Sequence, residues 1–163
     1  SDKYGPSQAL TASNRGYLEL RRKRLTDAEK WFKEALRRDG TAPAMYANLG
    51  TLELAKGHAE KAIPFYKFAI KRDANFAIAH WMLGRIAMDK KRWTEAREHL
   101  NRMIAVAPRD VRGYLNLAEA EMRAGNRNDA LRALLRAQSS IPNHPTILQA
   151  MIRLRGKQKT KSK

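Results

Sequence analysis

Four histidines are the first residues of this 163-residue chain to weigh for acid–base or metal chemistry, and their spacing gives them no shared task. His58, His80, His99 and His144 include no i, i+4 pair that would set two imidazoles on one helix face for a metal ion. The 16 Asp and Glu residues stand singly or in pairs such as Glu95 and Glu98, which a helix surface turns to water. Cysteine is absent, which removes disulfides, thiolate ligands and a cysteine nucleophile. Neither a GxxxxGK phosphate cradle nor a GxGxxG turn occurs. The expectation is a protein without catalysis, metal or cofactor.

Charge is the stronger chemical signal. Thirty-three Lys and Arg against 16 Asp and Glu leave a net +17, a surplus that favours acidic partners: protein, nucleic acid or an anionic membrane surface. The stretch 145–163 holds six Lys or Arg and no carboxylate. A second cluster, Arg21 to Arg24, falls where a first helix ends, so its cations meet exposed carbonyls and read as a solvated turn in preference to a phosphate patch. No apolar run approaches the roughly 18 residues a bilayer span needs, and SDKYGPSQAL lacks the basic and apolar regions of a signal peptide. The chain reads as a soluble protein of a cytoplasm or a bacterial periplasm, with room for an anchor or leader outside this stretch.

The elements that must position these groups recur. The pattern from Pro43 to Phe76 appears once before and twice after itself at a period of 34 residues without a gap. Gly16, Gly50, Gly84 and Ala118 form one column; Ala28, Ala62, Ala96 and Ala130 a second; Phe32, Tyr66, Leu100 and Leu134 a third; Ala35, Ala69, Met103 and Ala137 a fourth; Gly40, Ala74, Pro108 and Pro142 a fifth. Ala28, Phe32, Ala35 and Leu36 make one apolar helix stripe, so each period should hold two antiparallel helices. Gly57 and Gly125 suit left-handed caps after the first helix, with Lys23 and Lys91 in the same place elsewhere. Pro64 should bend its helix slightly without breaking it.

This pattern resembles the tetratricopeptide repeat family. The resemblance implies a right-handed superhelical α-solenoid of four repeats, 9–42, 43–76, 77–110 and 111–144, entered by a flexible lead-in over 1–8. Its departures are Ala12 and Arg15, where an aromatic and a Leu belong, and Met103 in place of a small residue. One hairpin cannot bury both faces, so Pro145 to Arg155, with Ile147, Leu148, Met151, Ile152 and Leu154, reads as a capping helix. A disordered basic tail is expected over 156–163.

In this family the first helix of each repeat lines a concave groove through repeat positions 2, 5, 6, 9, 12 and 13. Position 6 holds Asn14, Asn48, Met82 and Asn116, and a row of side-chain amides can pair with the main chain of an extended peptide. Position 5 holds Ser13, Ala47, Trp81 and Leu115; position 12 holds Leu20, Leu54, Met88 and Met122, an apolar floor unless it belongs to the core. Arg85 and Arg112 add cations at positions 9 and 2. Trp93 reads as core and Trp31 as ambiguous. The places that match the two-lysine, two-asparagine and arginine clamp of chaperone-tail binders hold Ser13, Tyr17, Asn48, Ile78 and Met82, of which only Asn48 fits.

The resulting expectation is a non-enzymatic scaffold that binds an extended, acidic or amphipathic peptide or protein segment. The groove set is Asn14, Asn48, Trp81, Met82, Arg85, Arg112, Leu115 and Asn116. The alternative is electrostatic binding of nucleic acid or an anionic membrane through the basic face and tail, although the aromatic and basic interleaving of a single-strand platform is missing.

Overall fold

The computed structural model describes the backbone of residues 6–159 and the side chains of residues 8–156. Among the described residues there are nine helices and no strand: α1 Pro6–Arg21, α2 Leu25–Arg38, α3 Pro43–Ala55, α4 Ala59–Arg72, α5 Ala77–Asp89, α6 Trp93–Val106, α7 Val111–Arg123, α8 Arg127–Ser140 and α9 Pro145–Lys159. Each 34-residue period holds two of them, an all-α helical-repeat fold. The ends differ from expectation. Helix α1 already begins at Pro6, a residue whose fixed φ and missing N–H suit a helix start. Helix α9 continues past Arg155 to Lys159, because Lys and Gln are good helix formers. The rest of the expected lead-in (1–5) and tail (160–163) lies outside the described residues.

The turns inside the hairpins explain the cap column. Lys23, Gly57, Lys91 and Gly125 all have positive φ, at 61°, 83°, 58° and 86°. Gly57 N donates to Leu54 O at 2.9 Å and His58 N to Glu53 O at 2.8 Å, the two bonds that close a left-handed helix cap. Lys91 and Arg92 repeat the pattern onto Met88 and Ala87 at 3.0 and 2.9 Å. Glycine enters this conformation freely, whereas the two lysines must bear the crowding of their Cβ.

The chain divides into two compact units, one reaching to Ala79 and one starting at His80, in the first turn of α5. In the N-terminal unit α1 packs on α2, α3 on α4, and α2 also meets α3. Close approach sets the small column: a Cβ on Gly50 would lie 2.8 Å from Cζ of the fully buried Tyr66 ring. The core of this unit includes a cluster built on Phe32, Leu49 and Leu52 and another on Ala12, Ala35 and Met45 with Trp31 against it. Ala12 therefore departs from the repeat pattern without leaving a void, since Met45 and Trp31 fill its neighbourhood. Pro64 sits inside α4, which runs on through it.

In the C-terminal unit Leu100, Ile104, Tyr114, Leu117, Leu134, Ile147 and Met151 belong to one cluster. Met103, the large residue in a small column, is buried beside Gly113, where a Cβ would meet Ile104 Cγ1 at 2.9 Å and Met103 Sδ at 3.3 Å. The missing side chain on α7 thus makes room for the extra one on α6. Helix α9 covers α8 with Ile147, Met151 and Leu154, but Leu148 and Ile152 of its expected apolar face are exposed.

Candidate functional site

Six of the eight groove residues expected from sequence fall in the C-terminal unit, on α5 and α7. Trp81 is half-buried and packs against the core cluster there. The Arg85 guanidinium, one turn further along α5, lies over its ring at 5.2 Å from the centroid, and that of Arg112, from the start of α7, at 4.4 Å. Cations so placed are held by the negative ring face. They are not equivalent. Arg112 is chelated by Asp110, with Nε to Oδ1 at 2.9 Å and Nη2 to Oδ2 at 2.5 Å, while Asp110 also caps α7 through Arg112 N at 3.0 Å. This bond to Arg112 holds the Asp110 carboxyl below its usual range and raises the guanidinium in turn. Arg85 is exposed and makes no ion pair among the described residues. The Trp81 Nε1 is buried and has no hydrogen-bond partner among the described residues.

Asn116 follows on α7. Its Nδ2 donates to Arg112 O at 2.7 Å, a bond along its own helix, and its Oδ1 remains as an acceptor. Leu115 and Met82 are half-buried, and Leu115 rests on the core cluster.

The N-terminal unit treats its amides similarly. Asn48 Nδ2 donates to Oγ of the buried Ser13 at 2.8 Å, so Asn48 likewise has one N–H engaged and keeps its Oδ1 and its second N–H. Asn14 is exposed and makes no hydrogen bond among the described residues. The amides of Asn48 and Asn116, expected to offer both donor and acceptor, each commit one N–H to a local partner and keep the Oδ1 and the second N–H. Position 12 divides: Met88 is only 4% exposed and belongs to the core, while Met122 is half-buried. Trp93 packs on the core as expected, and Arg15 stacks over the half-buried Trp31 at 4.8 Å.

Two side-chain pairs escaped the sequence reading. His80 and His99 approach with Nδ1 atoms 3.2 Å apart, since a hairpin of α5 and α6 opposes residues 19 apart. Counting across the hairpin as well as along one helix would have found them. Among the described residues no group of three or more His, Cys, Asp or Glu is placed to hold a metal ion. Glu121, 4% exposed, accepts from Arg97 Nε at 2.5 Å and Nη2 at 2.9 Å, and from Asn126 Nδ2 at 2.9 Å. The Arg97 bonds hold its carboxyl below the ordinary range.

These features, paired helices, small columns against large ones and variable side chains at the outward positions of each first helix, define a helical-repeat interaction protein. A family model described as tetratricopeptide repeat matches residues 2–43 and 48–110, and a second of the same description matches residues 87–154; the chain belongs to the tetratricopeptide repeat family. Proteins of this family are interaction scaffolds that bind peptides or proteins. A comparison with curated proteins finds no match. Among solved structures the fold is shared with pilF of Pseudomonas aeruginosa, at 20% identity and a TM-score of 0.83, over 96% of this chain and 72% of that one. YrrB, described as a TPR protein with an unusual peptide-binding site, is 21% identical with a TM-score of 0.69, over 89% of this chain and 75% of that one. MamA of Desulfovibrio magneticus RS-1 is 19% identical with a TM-score of 0.69, over 95% and 97%. No helix among the described residues is long and apolar enough to cross a membrane.

Proposed function

We propose that this protein is a non-enzymatic scaffold whose C-terminal unit binds an extended, acidic or amphipathic peptide segment of a partner protein along the face carrying Trp81, Met82, Arg85, Arg112, Leu115 and Asn116. The observation that supports this most is the pair of guanidiniums over the Trp81 ring. A large aromatic with cations on it offers buried area and a carboxylate site together, and Arg and Trp are the residue types that dominate binding hot spots. Arg85 takes the ligand carboxylate, Trp81 supplies apolar contact and the Asn116 Oδ1 accepts from the peptide main chain. In the N-terminal unit Asn14 and Asn48 offer main-chain contacts of the same kind. The +17 net charge speeds encounter with an acidic segment.

The test is calorimetric titration of a partner recovered by pull-down, against wild type, Arg85→Glu, Trp81→Ala, Asn48→Ala and Asn116→Ala, with thermal melts alongside. Arg85→Glu and Trp81→Ala should each cost about 1–3 kcal/mol of binding, and Asn116→Ala about 1 kcal/mol. Unchanged affinity in all four variants overturns the reading. Affinity that instead falls steeply with salt for any oligonucleotide or anionic vesicle, and is indifferent to Trp81, transfers the function to the basic surface.

A further inference from the structure

Within the C-terminal unit a cleft of about 360 Å³ opens between α7 and α9, with α8 as its floor. That volume lies in the lower part of the ligand-sized range of about 300–1,000 Å³. Leu115, Ala118 and Met122 wall it from α7, Leu134 from α8, and Ala150 and Leu154 from α9. It stays open because Ala118 and Ala150 are short, while the larger Leu148 and Ile152 of α9 are exposed and do not line it. The rim is polar and unequal in charge. Glu119 is engaged by Arg123 at 2.6 Å, whereas Arg153 makes no ion pair or hydrogen bond among the described residues. Helix α9 carries Arg153 and Arg155 and no carboxylate.

We infer that this cleft docks the apolar face of an acidic amphipathic helix from a partner protein, with a carboxylate of that helix on Arg153. The inference rests on the scaffold reading and deepens it, since Leu115 belongs both to the face carrying Trp81 and to this cleft. Side chains three and four residues apart on a helix share one face and can enter one cleft, with acidic residues left at the rim. An extended strand would turn alternate side chains away and require a row of main-chain partners, for which the rim supplies, besides the charged Glu119 and Arg153, the Thr146 hydroxyl and the Gln149 amide. A second copy of this chain would bring the same +17 charge against a cationic rim. A lipid surface would need protruding apolar residues, and these walls are recessed.

The probe is a phage library of random peptides of about 15 residues, long enough for a helix in contact, selected on the wild-type protein. Synthetic versions of the enriched peptides are then titrated against wild type, Ala150→Phe and Arg153→Glu. The expected result is enrichment of apolar residues at i, i+3 or i+4, and i+7 with Asp or Glu on other faces, and a loss of at least about tenfold in affinity for each variant. Arg153 is exposed, so its variant should melt like wild type and the loss cannot come from unfolding. Enriched peptides without that periodicity, equal binding to both variants, or no enrichment overturns the inference. So does a wild-type dimer in sedimentation that Ala150→Phe dissociates, which would make the cleft a self-interface. Peptides that lose affinity with Arg85→Glu and not with Arg153→Glu defeat the cleft and leave the Trp81 face standing; indifference to both removes both.

Discussion

Position 5 of the repeat carries a buried serine in the N-terminal unit and a tryptophan under two arginines in the C-terminal one. Ser13 there accepts from Asn48 and closes a local hydrogen bond, whereas Trp81 draws Arg85 and Arg112 onto its ring. The helices are the same and the columns where they pack are nearly so, yet one unit uses this position to satisfy itself and the other to present a surface. Packing constrains a side chain through volume, and volume is what the repeat conserves from unit to unit within this chain. A side chain that faces outward meets no such limit, so its chemistry can change without disturbing the fold.

The buried ion pairs should show the largest contrast. Glu121→Gln in the C-terminal unit leaves Arg97 without its carboxylate and should cost about 2 kcal/mol at neutral pH by chemical denaturation. Glu29→Gln in the N-terminal unit should cost less than about 1 kcal/mol, because Glu29, Lys33 and Lys56 are all in reach of water. Both carboxyls have folded-state values below the unfolded one. Their stabilisation is therefore present above the ordinary carboxylate range and is lost as pH falls through the folded value. For Glu29, pulled from 4.5 to about 2 by Lys33 and then Lys56, that window runs from 4.5 down to about 2. The gap between wild type and either variant should close on acidification; a gap that widens in acid would contradict the assignment.

The small column gives the next test. Gly50→Ala drives a Cβ to 2.8 Å from a fully buried ring and should cost about 2 kcal/mol. Gly84→Ala meets Leu100 Cγ at the same 2.8 Å, but an aliphatic side chain can yield, and the fourth repeat already holds Ala118 and Leu134 in those two columns, so about 1 kcal/mol is expected. Equal losses in paired melts would show that the ring moves as freely as the leucine.

The smallest effect concerns the turns. Lys23→Gly and Lys91→Gly each relieve a left-handed residue bearing a Cβ and should stabilise by about 1 kcal/mol, one in each unit. Gly57→Lys and Gly125→Lys should destabilise by a similar amount, since both lie at positive φ, 83° and 86°, where a Cβ is strained although the space around it is open. Thermal melts of the four variants check both signs.

Periodicity alone placed the helix pairs, the capping turns and the small-against-large columns, because each depends on residues a few positions apart or on one steric rule repeated every 34 residues. Which residues share a hairpin also follows from that period, although the approach of His80 to His99 needed the pairing counted across the turn. The chemistry of the outward face was not written there. That Asn48 and Asn116 each spend one N–H locally, that Asp110 takes Arg112 and leaves Arg85 free of an ion pair, and that Ala118 and Ala150 leave a cleft beside Arg153 are outcomes of distance and direction. Several partners were compatible in type with each of these groups, and only the packed helices bring one of them within hydrogen-bond or van der Waals reach.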